Sequence, residues 1–240
     1  MNFLFLVEGE ATEIQVYRSW LKHTFPNIDF VIRPEDMTNG NSCRIVSGRG
    51  FPNLVKKPGM TSGYTRLKAC LKDIKDYQNV DYFFICLDSE DESYQKRLSI
   101  VKSHLYPLIN EIGLGGFCNI FIIVQYCCFE TWLLGNTDIA SGLPTGKSHN
   151  FKNFMSFFDI MNRDPEAMPD GSSKRKKAKY HMNYLTSYLK ECELKYKKKK
   201  PGEVCSKAYL DALRKRCNET GHLPSLKILF DTWDFIKGNH

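Results

Sequence analysis

Three short apolar runs in this chain each lead into acidic residues. The runs and the acids that follow them are residues 3–7 with Glu8, residues 83–87 with Asp88, and residues 121–124 with Glu130. A short, fully apolar run bounded by turn residues is typical of a strand buried on both faces of a parallel sheet. Because open α/β sheets bind ligands at the carboxyl ends of their strands, we expect these carboxylates to converge on one crevice.

Amphipathic helices alternate with apolar strands in the first part of the sequence. We predict strands over residues 3–7, 29–32, 82–87 and 117–126 and helices over 12–25, from 64, over 94–112 and over 129–134. Residues 36–63 are rich in Gly, Asn, Ser and Pro and are predicted to form a long loop. After residue 135 the pattern favours helices alone, at 151–161, 180–196, 206–217 and 225–236.

This order predicts an α/β fold, with a mainly parallel sheet flanked by helices and an all-helical C-terminal part. We place the domains at residues 1–140 and 141–240. Residues 1–150 hold 15 Lys/Arg against 16 Asp/Glu, a net charge of −1, whereas residues 151–240 hold 19 against 11, a net charge of +8. This asymmetry suits a polyanion that one part binds and another part modifies.

The nine cysteines are scattered and none forms a Cys-x-x-Cys pair. We interpret them as mostly buried free thiols of a reducing cytosol, not as a disulfide framework or a zinc site. His149, His181 and His222 are isolated, and none has metal-ligand spacing to another His or Cys. The first residues lack the basic region of a signal peptide, and no apolar stretch is long enough for a membrane span. We therefore expect a soluble cytoplasmic protein without a membrane partner.

The acids themselves suggest a cation site. Glu13 lies about one helical turn after Glu8, and alternation along an extended segment would direct Asp88 and Glu90 to the same side. Clustered carboxylates repel each other unless a cation such as Mg²⁺ lies between them. The alternatives that need no cation are an ordinary turn at Glu8, a helix N-terminus, a solvated acidic loop from residue 88, and a salt bridge for Glu130.

These motifs together resemble a known family. Glu8-Gly9 with Thr12-Glu13, then Asp88-Ser89-Glu90, then Glu130-Thr131-Trp132, resemble in their order the Toprim domains, above all the stand-alone Toprim proteins and OLD-type nucleases of bacterial anti-phage defence. The resemblance covers about residues 3–135. One departure is that the usual Asp-x-Asp is Asp-x-Glu here, so Asp88 and Asp91 are an alternative pair.

The resemblance implies phosphodiester cleavage assisted by one or two Mg²⁺ or Mn²⁺ ions. Glu8, Asp88 and Glu90 would be the main metal ligands. Glu13 and Glu130 would complete a second site, or Glu8 would act as a general acid or base. The resemblance also implies a separate ATPase as partner, because this chain lacks a usable P-loop, and it leaves a homo-oligomer open.

Residues 142–148 imitate a P-loop, but one residue is missing between the glycines and no strand precedes them, so we reject nucleotide hydrolysis there. We predict that Lys147 contacts a phosphate or acts as a catalytic lysine of the kind found in OLD-type enzymes. The alternative is that it is an ordinary loop lysine.

The segment 171–216 holds 15 Lys/Arg and four acids, with tyrosines between the lysines. We predict that the lysines bind DNA, tRNA or another RNA and that the tyrosines mostly pack in the core. The predicted nucleic-acid contacts are Lys174, Arg175, Lys176, Lys177, Lys179, Lys197, Lys198 and Lys199.

Two rival functions compete with a nuclease. The acids could be degenerate, so that the protein only binds nucleic acid or bridges to a partner. A phosphatase of the haloacid-dehalogenase type is disfavoured, because it needs an Asp-x-Asp after the first strand and that strand here ends in Glu8-Gly9.

Overall fold

The computed structural model describes residues 1–38, 40–55, 65–116, 118–142, 148–170 and 176–239. It confirms an α/β fold, a parallel sheet flanked by helices and a helical C-terminal region. Two compact units divide the chain: unit 1 comprises Met1–Asp88 and Ser93–Val124, and unit 2 comprises Ser89–Glu92 and Gln125–His240. The predicted domain limits at 140 and 141 stay a prediction. Within the described ranges, no helix is both long and apolar enough to cross a bilayer.

The sheet of unit 1 has the strand order β2-β3-β1-β4-β5 within the described residues. Its strands are β1 (Asn2–Val7), β2 (Asp29–Val31), β3 (Ser42–Ser47), β4 (Tyr82–Asp88) and β5 (Asn119–Gln125). Its helices are α1 (Thr12–Thr24), α2 (Phe51–Leu54), α3 (Arg66–Tyr77) and α4 (Tyr94–Ile112). The chain places β2 and β3 on one side of β1 and then β4 and β5 on the other side. The topological switch point, where the strand order changes direction, therefore lies between β1 and β4. An open α/β sheet binds its ligand outside the strand ends at this point.

The long loop predicted over residues 36–63 is wrong in two segments, since β3 and α2 lie there, while residues 39 and 56–63 lie outside the described residues. Strand β3 pairs in parallel with both β1 and β2. Arg44 interrupts the apolar pattern of this strand, which hides the strand from an analysis of periodicity. The charge is balanced in the folded protein, because the Arg44 guanidinium lies 2.6 Å from a carboxylate oxygen of Asp73 on α3. Asn2 adds a side-chain anchor by accepting hydrogen bonds from the backbone N–H and hydroxyl of Ser42.

Unit 1 buries a large aromatic and aliphatic core on the sheet. All six residues of β1 are buried, as the apolar pattern predicts. The rings of Phe5 on β1 and Phe84 on β4 stack with 4.5 Å between their centroids, and Phe3 stacks against Tyr82 at 5.5 Å. Because these contacts join β1 to β4, they help to fix which residues end the two strands side by side.

Unit 2 is helical apart from an isolated bridge between Lys197 and Lys200, as far as its described residues go. Its helices are α5 (Phe129–Leu133), α6 (His149–Phe157), α7 (Lys177–Glu191), α8 (Lys207–Thr220) and α9 (Pro224–Gly238). The tyrosines predicted to pack do so at three positions: Tyr184, Tyr188 and Tyr209 are fully or almost fully buried. Each of these hydroxyls donates a hydrogen bond to a backbone carbonyl, which satisfies the polar end of a buried ring.

A buried polar network ties α5 to α9 inside unit 2. The Ser225 hydroxyl donates to Oε1 of Glu166 at 2.6 Å and accepts from Nε1 of Trp132 at 2.7 Å. Trp132 is fully buried. Burial raises the pKa of the Glu166 carboxyl from 4.5 to about 7, against the opposing effect of the Ser225 hydrogen bonds.

This shift predicts a pH dependence of stability. A carboxyl whose pKa is higher in the folded than in the unfolded state favours unfolding once the unfolded chain ionises, so stability should fall as the pH rises from about 4.5 to about 7. The loss should be at most about 3 kcal/mol, and Glu166→Gln should remove that slope. Urea unfolding of both proteins between pH 4 and 8 measures it. Identical slopes in the two proteins would show that Glu166 does not cause the effect.

Candidate functional site

Glu8 lies directly after β1, at the predicted sheet edge, and its position is fixed by backbone hydrogen bonds. Its N–H donates to the Cys86 carbonyl of β4, and its carbonyl accepts from the Gly50 N–H. Its carboxylate accepts from the Phe51 N–H at 3.2 Å and from the Asp88 N–H at 3.0 Å. Backbone N–H donors stabilise the ionised carboxylate. A carboxylate oxygen has two lone pairs, so one accepted hydrogen bond does not by itself prevent cation binding.

Asp88 ends β4 next to Glu8. The register pairs Val7 with Cys86, so that the residues after them leave the sheet at neighbouring points. The hydrogen bond from the Asp88 N–H to Oε2 of Glu8 joins the two acids directly. The structure therefore brings together two of the predicted site residues, at the switch point of the sheet.

Glu13, in the first turn of α1, belongs to the same region of unit 1. Its side chain is 6% exposed, and a Cβ added at Gly9 would lie 2.6 Å from its Oε1. Its charge also reaches β4, since burial and the nearby Glu13 carboxylate together raise the pKa of the Cys86 thiol. Gly9 thus gives Glu13 room to lie against the turn that follows Glu8. Carboxylates are hard oxygen donors that suit Mg²⁺ or Mn²⁺, but within the described residues no three acids have ligand atoms that all lie within 4.8 Å of one another.

Arg97 is a residue of this region that the motifs in the sequence do not predict. It lies on α4, is 5% exposed, and places its guanidinium carbon 4.0 Å from the centroid of the Phe51 ring. Phe51 in turn donates its N–H to Glu8. A buried arginine therefore contacts a residue that holds the Glu8 carboxylate. The signal in the sequence was an arginine on the otherwise apolar face of the helix predicted at 94–112.

Glu90 and Asp91 differ from the prediction. The extended segment that would direct Asp88 and Glu90 the same way is not observed, because β4 ends at Asp88 and Glu90 has a left-handed φ of +52°. The Glu90 N–H donates to the carbonyl of Cys127 at 2.8 Å, so its backbone is held inside unit 2. Glu90 and Asp91 are both exposed. Their role as metal ligands stays a prediction.

Glu130 is 6% exposed in the first turn of α5. Its Oε1 lies 3.5 Å from Nζ of Lys198 and accepts a hydrogen bond of 3.4 Å from the Tyr196 hydroxyl. These contacts match the alternative in which Glu130 forms a salt bridge. They also involve Lys198, one of the predicted nucleic-acid contacts, in the internal structure of unit 2.

The basic residues of unit 2 fall into two groups. Lys176, Lys179, Lys197 and Lys199 are exposed, and so is Lys198, which pairs with Glu130. Lys177 is mostly buried beside Asp170, with an N–O distance of 3.4 Å, and lies over the ring of Tyr126. The predicted residues Lys147, Lys174 and Arg175 lie outside the described residues.

A second cluster, of cysteines and a histidine, was missed. Ligand atoms of Cys127, Cys128 and His181 all lie within 4.8 Å of one another in unit 2. The interpretation of His181 as isolated from other metal ligands is therefore wrong, because the fold brings it close to Cys127 and Cys128. The adjacent cysteines were the available signal, but 53 positions separate His181 from Cys128 and no local spacing connects them.

At the usual level of significance, the chain matches no family model, no curated protein and no solved structure. The Toprim resemblance therefore continues to depend on the residues named above.

The hydrogen bonds to Glu8 predict a structural role that needs no metal. Glu8→Ala would leave the N–H groups of Phe51 and Asp88 without their acceptor, so unit 1 should lose about 1–3 kcal/mol of stability. The matched control is Glu10→Ala, an exposed acid whose removal should change stability by less than about 0.5 kcal/mol. Denaturant unfolding in EDTA measures both. Equal stability of the two variants would contradict the role assigned to Glu8.

Proposed function

We propose that the protein is a Mg²⁺- or Mn²⁺-dependent nuclease of the Toprim type, which cleaves phosphodiester bonds in DNA or RNA. The observation that carries this proposal is the hydrogen bond from the Asp88 backbone N–H to the Glu8 carboxylate at the switch point of the sheet. Glu13 supplies a third carboxylate to that region. Like charges are not gathered at a ligand-binding edge without a cost, and a divalent cation offsets that cost.

Glu8, Asp88 and Glu13 would hold the ion. A bound divalent ion would supply charge neutralisation at the phosphate and a water molecule of lowered pKa. The Phe51 and Asp88 N–H groups hold the Glu8 carboxylate in a fixed orientation. Preorganised ligands of this kind avoid reorganisation during the reaction.

Substrate binding is assigned to the basic residues of unit 2. Four exposed lysines among the predicted contacts, Lys176, Lys179, Lys197 and Lys199, suit phosphate contacts that do not depend on sequence. On the Toprim resemblance alone, we further propose that a separate ATPase is the partner and that the cleavage serves anti-phage defence. A non-catalytic protein that binds nucleic acid through the same lysines is the competing function.

Cleavage assays test the catalytic proposal. Purified protein, alone and with its candidate ATPase, should cut labelled DNA or tRNA in Mn²⁺ or Mg²⁺ but not in EDTA. Asp88→Asn should lower the rate by more than ~10²-fold, as loss of electrostatic stabilisation at a reacting phosphate does. Gly9→Ala keeps every carboxylate but pushes Glu13 aside, and should lower the rate without loss of folding.

Two controls accompany these variants. Glu10→Gln removes an exposed acid that pairs with Arg49 at 3.7 Å and should leave the rate unchanged. Gly116→Ala adds a methyl group where no atom lies within 4 Å and is the control for Gly9→Ala. Binding of nucleic acid without metal-dependent cleavage under any of these conditions would favour the competing function.

The exposed lysines predict a salt dependence. Each phosphate contact releases counterions and adds about 0.7–0.9 to the slope of log K against log salt. Replacing Lys197 and Lys199 by alanine should lower that slope by about 1–2 and weaken all sequences equally, as measured by fluorescence anisotropy at several salt concentrations. Lys227→Ala, which removes an ion-paired lysine of α9, is the control. An unchanged slope would exclude this surface as the binding site.

A further inference from the structure

Cys127, Cys128 and His181 form a compact cluster of soft ligands inside unit 2. Their ligand atoms all lie within 4.8 Å of one another, and each residue is at most 1% exposed. All three are described residues, and neither cysteine is in a disulfide. Two sulfur atoms and an imidazole in contact are a known ligand combination for zinc.

His181 has an unused donor or acceptor. The residue is fully buried on α7, and its Nδ1 lies 2.8 Å from the hydroxyl of Thr131. Its Nε2 has no hydrogen-bond partner among the described residues. A buried polar atom without a partner costs free energy, and a bound ligand is one way in which a native fold recovers that cost.

Thr131 connects two of the three ligands. Its hydroxyl lies 2.8 Å from the His181 ring and 3.6 Å from Sγ of Cys128, and it accepts the Cys128 N–H at 3.3 Å. A residue that hydrogen-bonds to ligands in this way orients them and fixes the histidine tautomer. The cluster therefore has the outer partner that metal-bound histidines have.

We propose that Cys127, Cys128 and His181 bind one Zn²⁺ ion, with a water molecule in the fourth tetrahedral position. Zn–S bonds of about 2.3 Å and Zn–N bonds of about 2.0–2.1 Å place tetrahedral ligands roughly 3.5–3.8 Å apart, about 1 Å less than the 4.8 Å within which the two sulfur atoms and one His181 ring nitrogen lie. The site binds zinc and not Mg²⁺ or Mn²⁺, because thiolates select soft metals. It ties the turn after β5 to α7.

Titration with metal alone tests the proposal. The full-length protein, prepared in EDTA with a phosphine reductant and then freed of EDTA, should bind one Zn²⁺ per chain. Zinc should raise the unfolding temperature, since the ion binds only the folded state. Co²⁺ in its place should give the thiolate charge-transfer band and the strong visible bands of a tetrahedral site. Excess Mg²⁺ should not displace either ion.

Variants locate the site. Cys128→Ser and His181→Ala should each weaken zinc binding by at least ~100-fold, because loss of an outer partner alone costs roughly 10–100-fold. Thr131→Val should cost that smaller factor. Cys217→Ser removes another buried thiol of unit 2 and should bind like the wild type. Asp88→Asn should also keep its zinc, which makes this result independent of the nuclease proposal.

Two outcomes would overturn the proposal. One is a wild-type protein that binds no stoichiometric Zn²⁺, or whose Co²⁺ spectrum lacks the thiolate band. This measurement needs no variant and so does not depend on how well a variant folds. The other is a folded His181→Ala protein, judged by circular dichroism, that binds zinc as tightly as Cys217→Ser.

Discussion

The pairing of β1 with β4 is the constraint on which the rest of the candidate site depends. Because Val7 lies opposite Cys86, Glu8 and Asp88 leave the sheet side by side, and the Asp88 N–H reaches the Glu8 carboxylate. A shift of the register by one residue would turn every side chain of a strand to the other face of the sheet. The stacked rings of Phe5 and Phe84 oppose such a shift. The register of β1 against β4 therefore determines both the packing of the core and the positions of Glu8 and Asp88.

The local hydrophobic pattern of the sequence correctly predicted the strands and helices whose buried faces are apolar throughout. It failed where a polar residue inside an element has a partner that is distant in the sequence. The buried strands β1 and β4 and the helices of unit 2 follow their hydrophobic periodicity closely. Strand β3 was missed because Arg44 breaks the pattern, and its partner Asp73 lies 29 positions away. The extended backbone predicted at Glu90 is not observed, because Glu90 has a left-handed φ, which is uncommon outside glycine.

The same limit applies to the site residues. Glu8 and Asp88 could be predicted to meet because both follow buried parallel strands, and the rule for strand ends needs no knowledge of individual contacts. The pairing of Glu130 with Lys198 and the approach of His181 to Cys128 could not, because each depends on how helices of unit 2 pack. Sequence spacing identifies metal sites only when the ligands lie on one element or on one turn.

Two chemically distinct ligand sets in one chain would also allow each to keep its own metal. Zn²⁺ binds most sites more tightly than Mg²⁺ or Mn²⁺, so a carboxylate site is exposed to the wrong ion. A thiolate and imidazole set of higher zinc affinity would take up that ion first. The Cys127 backbone is bonded to Ser89 and Glu90, with its N–H donating to the Ser89 hydroxyl at 2.9 Å. Zinc bound at Cys127 would therefore stiffen the turn that carries Glu90. Its role toward the acidic segment would then be structural and not catalytic.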